Sequence, residues 1–209
     1  GSRFSIKPSP FLRLSILSSM FFRAGVPYNP GMNAVSSAVD LYRDLEFRGL
    51  AKQSTSPDLG ATLAKRKMTV YVGFDPTADT LHVGSLLPLQ TLRRFQDAGH
   101  RVIALVGGAT GMIGDPTGKS QERKFLSVED LRKNVAGIRG VVSKFLRMDG
   151  PNPALVVDNY AWFEGVTYLQ FLRDVGKHFT VNHMMAKESV RARLEDRDHG
   201  ISYTEFSYM

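Results

Sequence analysis

Three short runs of β-branched and aromatic residues, separated by helix-length segments, constrain this chain more than any other feature. Met68–Phe74 alternates these residue types and predicts a strand. A turn, DPTADT, leads into a strongly apolar helix from about His82 to Ala98, which Gly99-His100 closes. Val102–Val106 reads as a second, buried strand. Ser127 followed by Asp130 caps a helix reaching about Arg147, and Ala154–Asp158 is the third strand. Strand, helix, strand, helix, strand is the order of a parallel sheet covered by crossover helices, so the expected class is α/β. Upstream, Val39, Leu41, Tyr42, Leu45 and Phe47 recur at helical spacing and Gly49 stops the run. Residues 53–60 read as a loop and Ala61–Lys67 as a short helix. Everything after Asp158 reads as helical, which leaves a small sheet.

Composition narrows the class further. A chain of 209 residues with 43% hydrophobic and 22% charged residues can bury a core and is globular in type. The lack of cysteine excludes a disulfide scaffold, a cysteine nucleophile and a cysteine-based zinc site. No apolar run reaches the ~18 residues of a membrane span, so no membrane partner is expected.

The net charge of +7 is unevenly placed. Arg3, Lys7, Arg13 and Arg23 lie in residues 1–39 with no acid among them, so this segment holds +4 and the other 170 residues only +3. An Arg- and Ser-rich, acid-free N-terminus reads as an organellar transit peptide, or else as a disordered basic tail. The expected division is therefore an extension over 1–39 and a body over 40–209. Gly1-Ser2, with no initiator Met, reads as a cloning remnant.

In open parallel sheets, ligands bind beyond the carboxyl ends of the strands. Two segments occupy such places: YVGFDPTADTLHVGS around the end of the first sheet strand and GGATGMIGDPTGKSQER after the second. The second reads as a long glycine-rich loop. Glycines allow close backbone approach, and free helix N–H groups favour phosphate. The second segment lacks a Gly-Lys-Ser/Thr after its second glycine and is not a P-loop; it is not a dinucleotide fingerprint either. Spacing alone supports a nucleotide or phosphorylated ligand.

The stretch YVGFDPTADTLHVGSLLPLQTLRRFQDAGHRVIALVGGATGMIGDPTGKSQER resembles the catalytic core of the tyrosyl-tRNA synthetases, class I aminoacyl-tRNA synthetases. The resemblance continues through LEFRGLAKQST upstream and through DNYAWF, FLRDVGKHFTVNHMMAKESV and GISYTEFSYM downstream, covering about residues 41–209. With the N-terminal extension it points to the mitochondrial form, located in the matrix. It implies a Rossmann-like nucleotide-binding domain, cut short, that joins tyrosine to ATP, releases pyrophosphate and passes the tyrosyl group to tRNA(Tyr). ATP would enter with Mg2+, with no protein-bound metal, and relatives of this kind form homodimers.

The resemblance also implies residue roles. Tyr71 matches the tyrosine that contacts the substrate phenol. Asp115 matches the carboxylate that holds the substrate ammonium, helped by Thr110 and Tyr208, with Asn159 orienting that cluster. Thr77 and His82 match the pair on the ATP γ-phosphate; Gly73, Asp75, Gly84 and Ser85 line the nucleotide. Lys119 and Arg123 match cations that contact pyrophosphate. Two positions depart from the family pattern: Ser85 replaces a second histidine, and Val72 stands where many relatives have a hydrogen-bonding cysteine. Both changes bear on ribose contacts.

The other candidates read as structure. His100 sits in a tight turn, and His178, His183 and His199 have no metal-ligand spacing. Trp162, Phe145, Phe163, Phe171 and Phe179 read as core. Lys187, Arg191 and Arg193 follow one helix face and read either as tRNA phosphate contacts or as a solvated face.

The family continues past this sequence into a glutamine and an aspartate of the tyrosine pocket, a second lysine-rich motif and tRNA-binding domains. Residues 1–209 by themselves are therefore expected to be inactive. Rival readings are a tryptophanyl synthetase or small adenylyltransferase, against which Tyr71 and GDPTGK argue, a mitochondrial RNA-binding intron-splicing factor on the same fold, and a non-catalytic fragment.

Overall fold

The computed structural model describes residues 11–16, 18–23, 40–114, 126–195 and 200–208. In chain order these form β1 (Phe11–Ile16), β2 (Ser18–Arg23), α1 (Leu41–Phe47), β3 (Gln53–Ser54), α2 (Leu59–Lys65), β4 (Thr69–Phe74), α3 (Leu86–Asp97) and β5 (Arg101–Val106). They are followed by α4 (Gly108–Ile113), α5 (Val128–Phe145), β6 (Leu155–Asp158), α6 (Tyr160–Phe163), α7 (Tyr168–Asp174), α8 (Val181–Met185), α9 (Glu188–Glu195) and α10 (Tyr203–Ser207). Two compact units divide these elements. One comprises Gly1–Phe74, Thr80–Leu105 and Ile138–Val157; the other comprises Asp75–Asp79, Val106–Gly137 and Asp158–Met209.

The first unit is built on the sheet, whose strands lie side by side in the order β3-β1-β2-β4-β5-β6. The β4, β5 and β6 strands form its parallel part, as the alternation with α3 and α5 predicts. The β1–β2–β4 part is antiparallel, with Phe21 opposite Tyr71 and Met20 opposite Val72. Residues 11–23 thus contribute two strands, although the sequence reads there as an extension outside the body. The reason is local. FLRLSI alternates apolar and polar residues at its end as readily as it spaces them for a helix, and short apolar runs leave the two periods indistinguishable.

The core of this unit follows from the pattern. On α3 the buried residues are Pro88, Leu89, Thr91, Leu92, Phe95 and Gln96, the i, i+3, i+4, i+7 stripe of an amphipathic helix. Val70, Val72, Val102 and Ala104 bury the alternate positions of β4 and β5. Leu45, Leu59 and Leu63 of α1 and α2 are also buried, as are Ile138 and Val142. Arg94 Nη1 reaches Asp44 Oδ2 at 3.0 Å and ties α3 to α1.

Buried Gln96 and His100 in this unit are hydrogen-bonded to the backbone. Gln96 Nε2 donates to the carbonyls of Arg147 (2.8 Å) and Asn152 (2.9 Å), while its Oε1 accepts from the Arg147 N–H at 3.0 Å. Asn152 Nδ2 donates to the carbonyls of Gln96 and His100. His100 follows Gly99, whose φ of 81° makes the turn that closes α3. Its Nδ1 accepts from the Met68 N–H at 3.0 Å, and its ring meets Phe95 edge-on at 5.6 Å. Burial, seconded by the Lys67 charge, pushes the His100 pKa down to about 4, so it is neutral at pH 7.

The second unit starts each of its three segments at or just past the end of β4, β5 or β6. One correction falls here. The segment read as a long glycine-rich loop begins with a helix, α4, which contains Gly108 and Gly111. Another concerns the start of the apolar helix, where Val83–Ser85 forms a 3-10 turn before α3. In this unit Leu131 is buried, and Asn134 Nδ2 donates to the Pro76 carbonyl at 3.0 Å, which fixes the turn after β4 onto α5. Ser127 caps α5, its Oγ accepting from the Asp130 N–H at 3.0 Å.

Candidate active site

The second unit brings four of the sequence-predicted residues together. The Asp75 carboxylate, half-buried, accepts the Thr110 hydroxyl on Oδ1 at 3.0 Å and the Tyr208 hydroxyl on Oδ2 at 2.8 Å. Buried Asn159 braces Thr110 from behind. Its Nδ2 points to Thr110 Oγ1 at 3.4 Å, and its Oδ1 accepts from the Ala109 N–H at 2.7 Å. The result is one carboxylate with two hydroxyls oriented by it and an amide holding one of them. A carboxylate oxygen has more acceptor capacity than one hydroxyl uses, so the cluster can still take a cationic donor. Asp75 was expected beside the nucleotide ribose; its partners are the residues expected around the substrate ammonium.

Glycine makes this approach possible. A Cβ at Gly107 would collide with Thr110 Oγ1 and Asp75 Oδ1, and one at Gly108 with Asp158 Oδ1. Asp158 is a residue that motif reading passes over. Its Oδ1 accepts from the Gly108 N–H at 3.1 Å and from the Tyr160 N–H at 2.9 Å, capping the starts of α4 and α6. This corrects the expectation of free helix N–H groups after the second parallel strand. At α4 the first N–H groups are taken by Asp158 and Asn159, so phosphate has no vacant donors from Gly108 and Ala109. The available signal was the acidic residue closing a strand, Asp158-Asn159, which sequence reading assigned only in its second half.

The remaining predicted residues divide by place. Tyr71 is half-buried on β4 in the first unit, and Gly73 has open space where a Cβ would stand. His82 is exposed and caps the 3-10 turn, its Nδ1 accepting from the Gly84 N–H at 3.0 Å. A Cβ at Gly84 would lie 2.7 Å from the His82 ring, so that glycine makes room for the imidazole. Ser85 precedes α3 and makes no capping bond with its side chain. Thr77, in the second unit, is exposed, and its N–H donates to the Asp75 carbonyl at 2.9 Å. Asp115, Lys119, Arg123 and His199 lie outside the described residues.

Two further readings are corrected. Arg193, read either as a tRNA phosphate contact or as part of a solvated face, is buried and paired with Glu205, whereas Lys187 and Arg191 are exposed. Trp162, Phe163 and Phe179 are not core: each is 41% exposed or more. No residue of α6, α7 or α8 is buried. No group of three or more His, Asp or Glu side chains suited to a metal occurs among the described residues. None of their helices is long and apolar enough to cross a membrane.

Comparison with known proteins assigns the frame for this geometry. Residues 63–209 match the family model described as tRNA synthetases class I (W and Y). A tyrosine–tRNA ligase of Rhodopirellula baltica is 51% identical over 185 residues, which is 88% of this chain and 42% of that protein. The solved mitochondrial tyrosyl-tRNA synthetase of Coccidioides posadasii, C-terminally truncated, superposes with a TM-score of 0.67 at 26% identity, covering 81% of this chain and 48% of that one. Its counterpart from Aspergillus nidulans gives 0.60 at 27% identity, covering 79% and 46%. The chain spans about two fifths of the length of the curated relatives it matches. A family match over most of the body, tyrosine–tRNA ligases as relatives and the parallel-sheet architecture agree, and the chain belongs to the class I tRNA synthetases, matching the N-terminal catalytic region of the tyrosyl members.

Proposed function

We propose that the protein is a tyrosine–tRNA ligase, which activates tyrosine with ATP and transfers the tyrosyl group to tRNA(Tyr). The observation that carries this reading is the convergence of Thr110 and Tyr208 on the Asp75 carboxylate, with Asn159 behind them. An anionic cluster of this kind suits the ammonium of an amino acid. Activation is an in-line attack of the amino acid carboxylate on the α-phosphate, so the protein's task is to position reactants and stabilise charge. Tyr71 would meet the phenol, and a site built to pair a substrate hydroxyl rejects the analogue lacking it; this enzyme family is the standard example. Asp115 would share the ammonium, His82 and Thr77 would serve the γ-phosphate, and Lys119 and Arg123 the pyrophosphate.

The decisive experiment is ATP–pyrophosphate exchange by the full-length protein with each amino acid in turn. Exchange with tyrosine and not with phenylalanine or tryptophan is the expected result; exchange with tryptophan instead, or with none, overturns it. Residues 1–209 alone, two fifths of the relatives' length, are expected to give no exchange. An RNA-binding splicing role without catalysis is the alternative, and salt-sensitive binding to a structured intron by a protein inactive in exchange would favour it.

The acid-free, basic N-terminus supports delivery to the mitochondrial matrix. Import of the intact protein into isolated mitochondria, lost when Arg3, Lys7, Arg13 and Arg23 are replaced by glutamine, is the expected outcome. A second copy of the chain is the proposed partner. In the second unit Leu169 is 76% exposed, Tyr168 60% and Val181 59%, apolar area of the kind that marks interfaces. Leu169→Asp with Val181→Asp should convert a dimer to monomers in sedimentation equilibrium.

A further inference from the structure

Arg193 and Glu205 form a bidentate ion pair whose side chains are 5% and 2% exposed. Arg193 Nη2 lies 3.0 Å from Glu205 Oε2 and Nη1 lies 3.3 Å from Oε1, while Nε donates to the Gly200 carbonyl at 2.8 Å. One planar guanidinium therefore holds both the carboxylate of α10 and the Gly200 carbonyl. The Glu205 backbone is fixed as well, because its N–H donates to Ser202 Oγ, the cap of α10. Three residues on, Tyr208 closes that helix: its N–H donates to the Glu205 carbonyl at 3.2 Å and its hydroxyl reaches Asp75.

Stability alone is a weak reason for such a pair. Desolvating two charges offsets most of their attraction, and a well-packed apolar pair of the same volume often serves as well. What an apolar pair lacks is direction. A two-pronged bond fixes both the axial position and the rotation of a helix of only five residues, which short helices do not fix for themselves.

We propose that the Arg193–Glu205 pair is a positioning clamp that sets α10 so that Tyr208 delivers its hydroxyl to Asp75, and thereby sets the affinity of the site for its amino acid. The assignment of an amino acid to that site rests on the synthetase reading above. Neither Arg193 nor Glu205 touches the substrate; both act through Tyr208.

The test uses the full-length protein and two variants. The double variant Arg193→Met/Glu205→Met removes the pair without leaving a buried charge alone. Arg193→Lys keeps the charge and loses the fork. The expected result is a melting temperature close to wild type for the double variant, a rise of about tenfold in KM for tyrosine, and a KM for ATP within about twofold. Arg193→Lys should lie between. Amide hydrogen exchange without substrate should accelerate over residues 203–208 while global stability is kept. An unchanged KM for tyrosine, or a parallel rise in both KM values with a lowered melting temperature, overturns the proposal and makes the pair merely structural. If wild-type protein shows no tyrosine-dependent exchange, the synthetase reading fails on its own. The clamp then stands on hydrogen exchange: faster exchange at 203–208 supports it, and unchanged exchange overturns it.

Discussion

Two polar clusters, one in each unit, are built in opposite ways. Around Gln96, Asn152 and His100 in the sheet unit, side-chain amides and an imidazole bond to the backbone, and the Phe95 ring packs edge-on against His100. Around Asp75 in the second unit, two hydroxyls converge on a half-buried carboxylate that keeps acceptor capacity. A buried network bonded to its own backbone stabilises a scaffold and offers little to a ligand. A network with a charged, accessible acceptor is less useful to the fold and more useful to a substrate. Damage to the Gln96–Asn152–His100 network should therefore appear as lost stability, and damage to the Asp75 cluster as lost affinity.

The largest effect should come from Phe95→Ala. It removes a fully buried aromatic ring from α3 and its edge contact with His100, and should cost about 3–5 kcal/mol in urea unfolding. Tyrosine affinity measured well below the new melting temperature should stay close to wild type. A large, specific rise in KM for tyrosine would break the contrast.

Next is the pH dependence set by His100. In the unfolded chain this histidine takes up a proton below about pH 6.5; in the folded protein it resists until about 4. The unfolded state therefore binds more protons between those values, and stability falls as pH drops through that window. The full loss, reached below about pH 4, is on the order of 3 kcal/mol. Urea midpoints from pH 7 to pH 4 should show this slope in wild type and lose it in His100→Gln. An equal slope in both proteins would remove His100 as its source.

Asp75→Asn tests the second unit. Loss of the charge should raise KM for tyrosine by roughly 10- to 100-fold, the scale of one charge-assisted hydrogen bond, with a smaller shift in melting temperature. A rise confined to the KM for ATP would return Asp75 to the ribose side. The smallest effect belongs to Ser127→Ala, which removes the cap of α5 and should lower unfolding free energy by about 1 kcal/mol without changing either KM.

Much of the scaffold is legible in the sequence. The strands predicted at Met68–Phe74, Val102–Val106 and Ala154–Asp158 appear as β4, β5 and β6 within a residue of those bounds, because buried parallel strands are runs of apolar β-formers. The long helix after Ser127 was equally clear, since a cap and an i, i+3, i+4 stripe leave little choice. Residues 11–23 were not legible, because a short amphipathic run satisfies both periods and only a neighbouring strand edge selects one.

The site shows the same division. Thr110, Asn159 and Tyr208 could be named from the motifs they sit in, but nothing in a linear sequence brings Tyr208 to Asp75, 133 positions away. Arg193 shows it most sharply. On a helix wheel it is one cation among several; in the fold it is the one among Lys187, Arg191 and Arg193 that is buried, because Glu205 faces it. The sequence by itself determined periodicity, caps and the residue types available, since these are properties of neighbours along the chain. Only the tertiary structure decided which charges are paired, which helix N–H groups are already filled and which carboxylate keeps room for a ligand. Burial and hydrogen-bond saturation depend on segments that meet in space and not in sequence.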